Sequence, residues 1–170
     1  MRATDHKRWE ATAYHEAGHA VAAYVVGRRV REISIVADGD MLGHVAYWPW
    51  PDSFHPDYET DGKTRRMVES GIITSLAGPV AEALFRGRHN WRGANSDTRQ
   101  AVDLASYMCG GAEETGAYIG WLFWRARTIL SLPEHWAAVQ ALAGDLLEQR
   151  RIGTQRARQI IKMAIYGREG

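Results

Sequence analysis

The chain has one cysteine, Cys109, so no disulfide can form within it. Such a chain suits a reducing compartment, and a cytoplasmic location is expected. Long apolar runs are also missing. The stretch from Ala20 to Val26 falls far short of the roughly 20 residues a membrane-spanning helix needs, so no span is expected. The first residues are charged and show no apolar core of a secretory leader. Neither sign of charge dominates: 21 Lys and Arg face 20 Asp and Glu, for a net charge of +1. That balance gives no push toward nucleic acid or toward acidic partners. Proline is scarce, with none between Thr4 and Trp48, and there is no internal repeat or low-complexity segment. What remains is ordinary: 170 residues, 45% hydrophobic and 24% charged, which fits one globular domain over 1–170 with a real core.

Periodicity predicts a mainly α domain with a small β-hairpin or sheet. A helix is expected from about Asp5 or Lys7 to Val26, with Gly27 as its C-cap. Arg31 to Ala37 and Gly43 to Trp48 read as strands around the Asp38-Gly39-Asp40 turn. Pro49 to Asp61 reads as a loop. Lys63 to Arg86 returns to helical spacing, with Val68, Ile72, Leu76 and Val80 on one side. Its other inner face carries Gly71, Ser75, Gly78 and Glu82, a groove of small residues that another helix could approach. Asn95 or Ser96 can cap a helix from Asp97 to about Cys109. Further helices are expected over Glu113 to Leu130, Pro133 to Arg150 and Thr154 to Tyr166, the last capped by Thr154.

His15-Glu16-Ala17-Gly18-His19 reads H-E-x-x-H. With about 3.6 residues per turn, positions i and i+4 sit one above the other on one helix face. Two imidazoles so placed can hold one Zn²⁺, and the Glu beside the first can take a proton from water at the metal. The motif alone is short enough to occur by chance. Here it lies on a helix that is apolar nearly all round from Ala11 onward, where two His and one Glu would be costly without a partner. Gly18 costs roughly 1 kcal/mol against Ala inside a helix, tolerable where something packs closely.

A catalytic zinc site takes three protein ligands. The continuation H-E-x-x-H-x-x-G-x-x-H fails, since Ala22 and Val25 stand at its Gly and third His. The downstream candidates are Asp38, His44, His55, Glu59, Glu82, His89, Asp97 and Asp103. Asp97 shares a helix face with Ala101, Leu104, Ala105 and Met108, so it either caps its own helix or meets a cation. Glu82 also lies on an inward face, and pattern does not separate the two.

Tyr14-His15-Glu16-Ala17-Gly18-His19-Ala20, Leu42-Gly43, Leu76-Ala77-Gly78-Pro79-Val80-Ala81-Glu82 and Gly93-Ala94-Asn95-Ser96-Asp97, in that order, resemble the peptidase domain of FtsH. That family comprises membrane-anchored, ATP-dependent AAA zinc proteases. Leu142 to Ile161 is similar to the domain's C-terminal helices. The resemblance implies an FtsH-peptidase-like zincin fold, zinc bound by His15, His19 and Asp97, and Glu16 as general base. It gives Glu82 a supporting place behind the ligands. Neither an ATPase module nor a membrane helix is expected within these 170 residues, a departure from the family's pattern. Gly62-Lys63-Thr64 is no P-loop, because Asp57 stands where the first Gly is needed. The stretch from Trp48 to Asp61 is unlike the family, and His44 replaces an expected aromatic.

The function expected is a zinc metalloendopeptidase acting on unfolded or flexible protein segments. The alternative is a catalytically idle or partner-dependent module, metal-stabilised, that binds proteins beside a separate AAA ATPase. The intact Glu16 favours the enzyme. Nucleic-acid binding through Arg150, Arg151, Arg156, Arg158, Lys162 and Arg168 is not expected, since a solvated helix face explains those charges. Gly43 to Trp48 could pair with an extended substrate, and His44 is a candidate to stabilise the oxyanion. The aromatic stretch Tyr47 to Phe54 fits a groove wall, an interface or a folded loop. Oligomeric state is open.

Overall fold

A computed structural model describes residues 3–37, 39, 42–87 and 95–167. Six helices and a three-stranded sheet are formed by the described residues: α1 (Ala3–Val26), β1 (Val30–Ser34), β2 (His44–Tyr47), α2 (Gly62–Arg86), α3 (Asn95–Ala105), α4 (Ala112–Ser131), α5 (Pro133–Gln149), β3 (Arg151–Gly153) and α6 (Thr154–Tyr166). The mainly α architecture with a small antiparallel sheet is the one expected.

α1 is the central element. Ala13, Ala17 and Ala20 to Ala23 are fully buried, which an alanine-rich helix permits because its neighbours can come close. Gly27 ends it with φ 80, while its N–H donates to the Tyr24 carbonyl and the Arg28 N–H to the Ala23 carbonyl. These two bonds form a Schellman cap. Gly18 faces α2, where a Cβ would run into Ala81 Cβ and come within 2.7 Å of the Ala77 carbonyl oxygen. The missing side chain sets the distance between α1 and α2.

α2 begins at Asp61, whose carboxylate accepts from the Thr64 N–H at 2.7 Å, and ends at Gly87 with φ 66. Pro79 lies inside it; the ring removes one N–H without ending the helix. The groove of small residues is used as a groove. Leu104 of α3 and the Trp50 indole sit against Gly71, at 2.7 and 3.2 Å from where its Cβ would be. The Ser75 hydroxyl donates to Gln100 Oε1 at 2.7 Å, tying α3 to α2. α3 starts two residues before Asp97 and stops at Ala105, short of the Cys109 end expected; turns follow through Met108.

The strand order is β2-β1-β3, all antiparallel, so β2 and β3 are edges. Ile33, at 0% exposure, pairs with Val45 on one side and Ile152 on the other. β3 (Arg151–Gly153) has no counterpart in the sequence pattern. α5 ends one residue early, at Gln149, and Arg150 turns the chain in the left-handed region at φ 65. Arg151 to Gly153 then pairs with β1. Thr154 is not the N-cap of α6; Gly153 is, and no side chain caps it. The Thr154 hydroxyl instead shares its proton between the Val30 and Arg31 carbonyls, at 3.1 and 2.9 Å, and anchors α6 to β1.

Candidate metal centre

Three helices converge on one point. α1 supplies His15, Glu16 and His19, with Glu16 at 5% and His19 at 6% exposure. The first turn of α3 supplies Asp97. One donor atom from each of His15, His19 and Asp97 lies within 4.8 Å of the others. His15 Nε2 is 3.1 Å from His19 Nε2 and 3.1 Å from Asp97 Oδ2, and His19 Nε2 is 3.6 Å from that same oxygen.

α2 orients the rings. The His19 Nδ1–H donates to the Thr74 carbonyl at 2.7 Å. A carbonyl can only accept, so the His19 proton sits on Nδ1 and its Nε2 presents a lone pair. His15 Nδ1 lies 3.3 Å from Glu82 Oε2, and Glu82 Oε1 is in turn held by Arg86 Nε at 2.9 Å. Burial opposes ionisation of Glu82, but His15 and Arg86 prevail and lower its pKa. An ionised Glu82 accepts from the His15 Nδ1–H, which leaves the second Nε2 lone pair facing the first. Two imidazole lone pairs and a carboxylate oxygen then converge with no proton among them. Such a set calls for a cation, and its N,N,O chemistry suits Zn²⁺.

Without a metal, a proton takes that place. Burial alone would lower the His15 pKa, but hydrogen bonds to Asp97 and Glu82 and the nearby Glu16 charge raise it to about 10. Burial likewise opposes ionisation of Asp97, yet the two histidines hold its carboxyl well below the usual range. Glu16 is different. Burial, the largest influence, and the Asp97 charge outweigh the lowering effect of both histidines, and its pKa rises.

Two glycines are cut to fit. A Cβ at Gly78 would overlap the His19 ring, within 2.6 Å of both Cδ2 and Cε1. A Cβ at Gly43 would lie 2.9 Å from Glu16 Oε1 and 2.8 Å from the Ser34 carbonyl oxygen, so the approach to β2 lies directly on the Glu16 carboxylate. Gly43 and Gly78 stand in the family-like motifs, but no sequence pattern gives either a place at the site; their packing against Glu16 and His19 is tertiary. Burial, partly offset by Arg28, raises the Tyr47 pKa, and Glu16 and Asp97 push the same way.

The other candidates lie elsewhere. Glu82 meets His15 on the nitrogen away from the convergence point. His44 opens β2, half-buried, with Nε2 3.8 Å from Glu32 Oε1. His55 stacks on Tyr58, Glu59 is exposed on the same loop, and Asp103 is exposed on α3. Asp38 and His89 lie outside the described residues. Trp50 and Phe54 fold over the molecule, their rings 4.7 Å apart, and the Arg28 guanidinium lies 3.8 Å above Tyr47 and 4.6 Å from Trp50.

A mainly helical domain gathering two histidines of one helix and an aspartate of another is the layout of a zincin-type metallopeptidase. Comparison with known proteins narrows the class. Residues 2–116 match the model of peptidase family M41, and the chain belongs to that family. The ATP-dependent zinc metalloprotease FtsH of Haemophilus influenzae is 34% identical over 105 residues, covering 60% of this chain and 15% of that protein. The ATP-dependent zinc metalloprotease YME1L of Drosophila melanogaster is 33% identical over 100 residues, covering 57% and 13%. FTSH 11 of Arabidopsis thaliana, also described as an ATP-dependent zinc metalloprotease, is 36% identical over 111 residues, covering 62% and 13%. The chain thus matches only about a seventh of the length of these relatives. The family match stops at residue 116, so the likeness suggested for Leu142 to Ile161 lies beyond it. Among the described residues no helix is long and apolar enough to cross a membrane.

Proposed function

We propose that this chain is a zinc-dependent endopeptidase that hydrolyses peptide bonds in unfolded or flexible protein segments. The observation that carries the reading is the convergence of His15 Nε2, His19 Nε2 and Asp97 Oδ2, with each imidazole tied through its other nitrogen. In this reading His15, His19 and Asp97 hold the metal. Bound there, zinc supplies Lewis acidity, polarising a peptide carbonyl and making water more acidic. Glu16 takes the proton of the attacking water and passes it to the departing amine. Burial raises its pKa, which makes it a stronger base than an exposed carboxylate. The shared core running from α1 to α6 supports treating 1–170 as one domain, and the single cysteine fits a cytoplasmic setting.

The test is hydrolysis of a fluorescently labelled unfolded protein by the zinc-loaded chain, with and without ATP and after chelation. Cleavage that needs no nucleotide, stops on chelation and returns with zinc supports the proposal. Bound zinc at one per chain with no cleavage in any mixture overturns it, in favour of a metal-stabilised binding module that works beside a separate ATPase.

The hydrogen bond from His15 to Glu82 predicts that Glu82→Gln weakens zinc binding by about 10–100-fold without removing a ligand. Competition with a fluorescent chelator checks this; unchanged affinity would mean that Glu82 does not orient the ring.

The pH dependence has two opposite parts. In the metal-free protein His15 has its pKa raised from 6.5 to about 10. Its contribution to folding is therefore complete below about pH 6.5 and is lost as pH rises toward about 10. Zinc must displace that proton, so zinc affinity rises with pH, about tenfold per unit while one proton is released. Chelator titrations between about pH 6 and 9, corrected for protonation of the chelator, should show this slope. A flat affinity would place the displaced proton elsewhere.

A further inference from the structure

α4 turns an unusual face to solvent. Trp124 is 63% exposed and Trp121 51%, where a surface helix ordinarily carries polar residues. Beside them the face is low. Gly116 and Gly120 are exposed with nothing within 4 Å of where a Cβ would stand, and Ala117 offers only a methyl group. At about 3.6 residues per turn, positions 113, 116, 117, 120, 124 and 127 share roughly 100° of the circumference. The charges on this face are segregated, with Glu113 at the start of α4 and Arg127 near its end. Among the described residues, none of the ion pairs uses Glu113, Arg125 or Arg127. The Arg127 guanidinium lies 6.0 Å from the Trp124 ring centroid, on the same surface.

These features are symmetric about Gly120. Glu113 lies seven residues before it and Arg127 seven after; Gly116 lies four before and Trp124 four after. In two antiparallel helices crossing at a two-fold axis, a residue meets the one equally far beyond the axis on the other copy. With the axis at Gly120, Trp124 of each copy lies over the bare backbone at Gly116 of the other. The same register sets Glu113 against Arg127 twice.

We infer that α4 is a docking surface for a second copy of this chain, the two α4 helices packing antiparallel about a two-fold axis at Gly120. Shape and charge specify the same register, and the partner they fit is this same sequence run backwards. The face is isologous, so it closes on itself as a dimer. Glycines at the crossing let the two backbones approach, and the indoles bury the apolar surface that drives association. Most of α4 lies beyond residue 116, outside the matched stretch, so nothing about this face is carried over from the family. The inference does not depend on zinc or on peptidase activity.

Sedimentation of the full chain over a range of concentrations tests it, with variants that sit on the exposed face. A reversible dimer is expected. Trp124→Ala should weaken it at least about thirtyfold, as for a buried aromatic anchor. Arg127→Glu should weaken it about tenfold by setting like charges together, and adding Glu113→Arg to that chain should restore it to within about threefold. In a Cys109→Ser background, Gly120→Cys should form a covalent dimer under mild oxidation, while Ser131→Cys, on the same face but far from the axis, should not. A chain that stays monomeric at every concentration gives this face to another partner and overturns the inference. So does a dimer that ignores Trp124→Ala, a double charge variant that fails to recover, or cross-linking at residue 131 instead of 120.

Discussion

Glu16→Gln is expected to cut peptide hydrolysis by about 10²–10⁴-fold while leaving zinc in place. The substitution keeps the shape of the side chain, which matters because the carboxylate is closely packed. A Cβ at Gly43 would already lie 2.9 Å from Oε1, and Glu16 is 5% exposed. What the amide lacks is basicity, and taking a proton from water is the role proposed. Glu16 is outside the three-donor group, so one zinc per chain should remain by mass spectrometry. Thermal stability should not fall. Burial raises the Glu16 pKa, so the buried carboxylate is held against its preference, and a neutral amide relieves that. Hydrolysis within about tenfold of the parent would assign the base to another group. Loss of zinc would make Glu16 a ligand.

The parts of this site that could be read from the sequence are those fixed by local geometry. His15, Glu16 and His19 share one helix, and their spacing alone puts the imidazoles on one face. The choice between Asp97 and Glu82 is of another kind. Both face inward and both meet His15, one at Nε2 and the other at Nδ1. Which nitrogen each meets depends on how α2 and α3 pack on α1, and no periodicity carries that. The resemblance to a known family placed Asp97 with the histidines, where the structure also brings it.

The elements show the same division. The long helices α1, α2, α4, α5 and α6 begin and end within a few residues of expectation, because the Gly and Pro breaks that bound them are written locally. β3 has three residues and is a strand only because β1 offers it an edge, after Arg150 turns in a conformation unusual for a non-glycine. Thr154 looked like a helix cap for sound local reasons. Two carbonyls of β1 claimed its hydroxyl, a contact across more than a hundred residues of chain. β1 itself sits slightly earlier than expected. The apolar pair Ile35 and Val36 suggested a longer strand, but only Ile35 is buried, and its N–H goes to the Arg150 carbonyl at 2.9 Å.

Gly78→Ala should remove zinc and destabilise the protein, although alanine is the better helix former. Two effects of opposite sign meet at this position. Helix propensity favours alanine by up to about 1 kcal/mol. Against it, the new methyl group would sit on the His19 imidazole. The ring has no free direction in which to retreat. Its Nδ1–H is held by the Thr74 carbonyl, and Gly18, one residue before it, already brings α1 against Ala77 and Ala81. Overpacking of a tight interior costs about 1–3 kcal/mol, so packing outweighs propensity and the sign is a loss. Moving the ring also takes Nε2 away from His15 and Asp97, so zinc affinity should fall at least about a hundredfold, as for a lost ligand orientation, and hydrolysis with it. Gly144→Ala is the internal control. Gly144 lies on the exposed side of α5 with nothing within 4 Å of its Cβ position, so the same substitution there should raise stability by about 0.5–1 kcal/mol. Denaturant unfolding of the two variants, with zinc measured on each, separates the terms: one exchange, Gly to Ala in a helix, stabilising where space is open and disabling where a metal-facing ring fills it. A Gly78→Ala protein that keeps zinc and gains stability would mean that the His19 ring does not need that space, and the case for His19 as a ligand would fall with it.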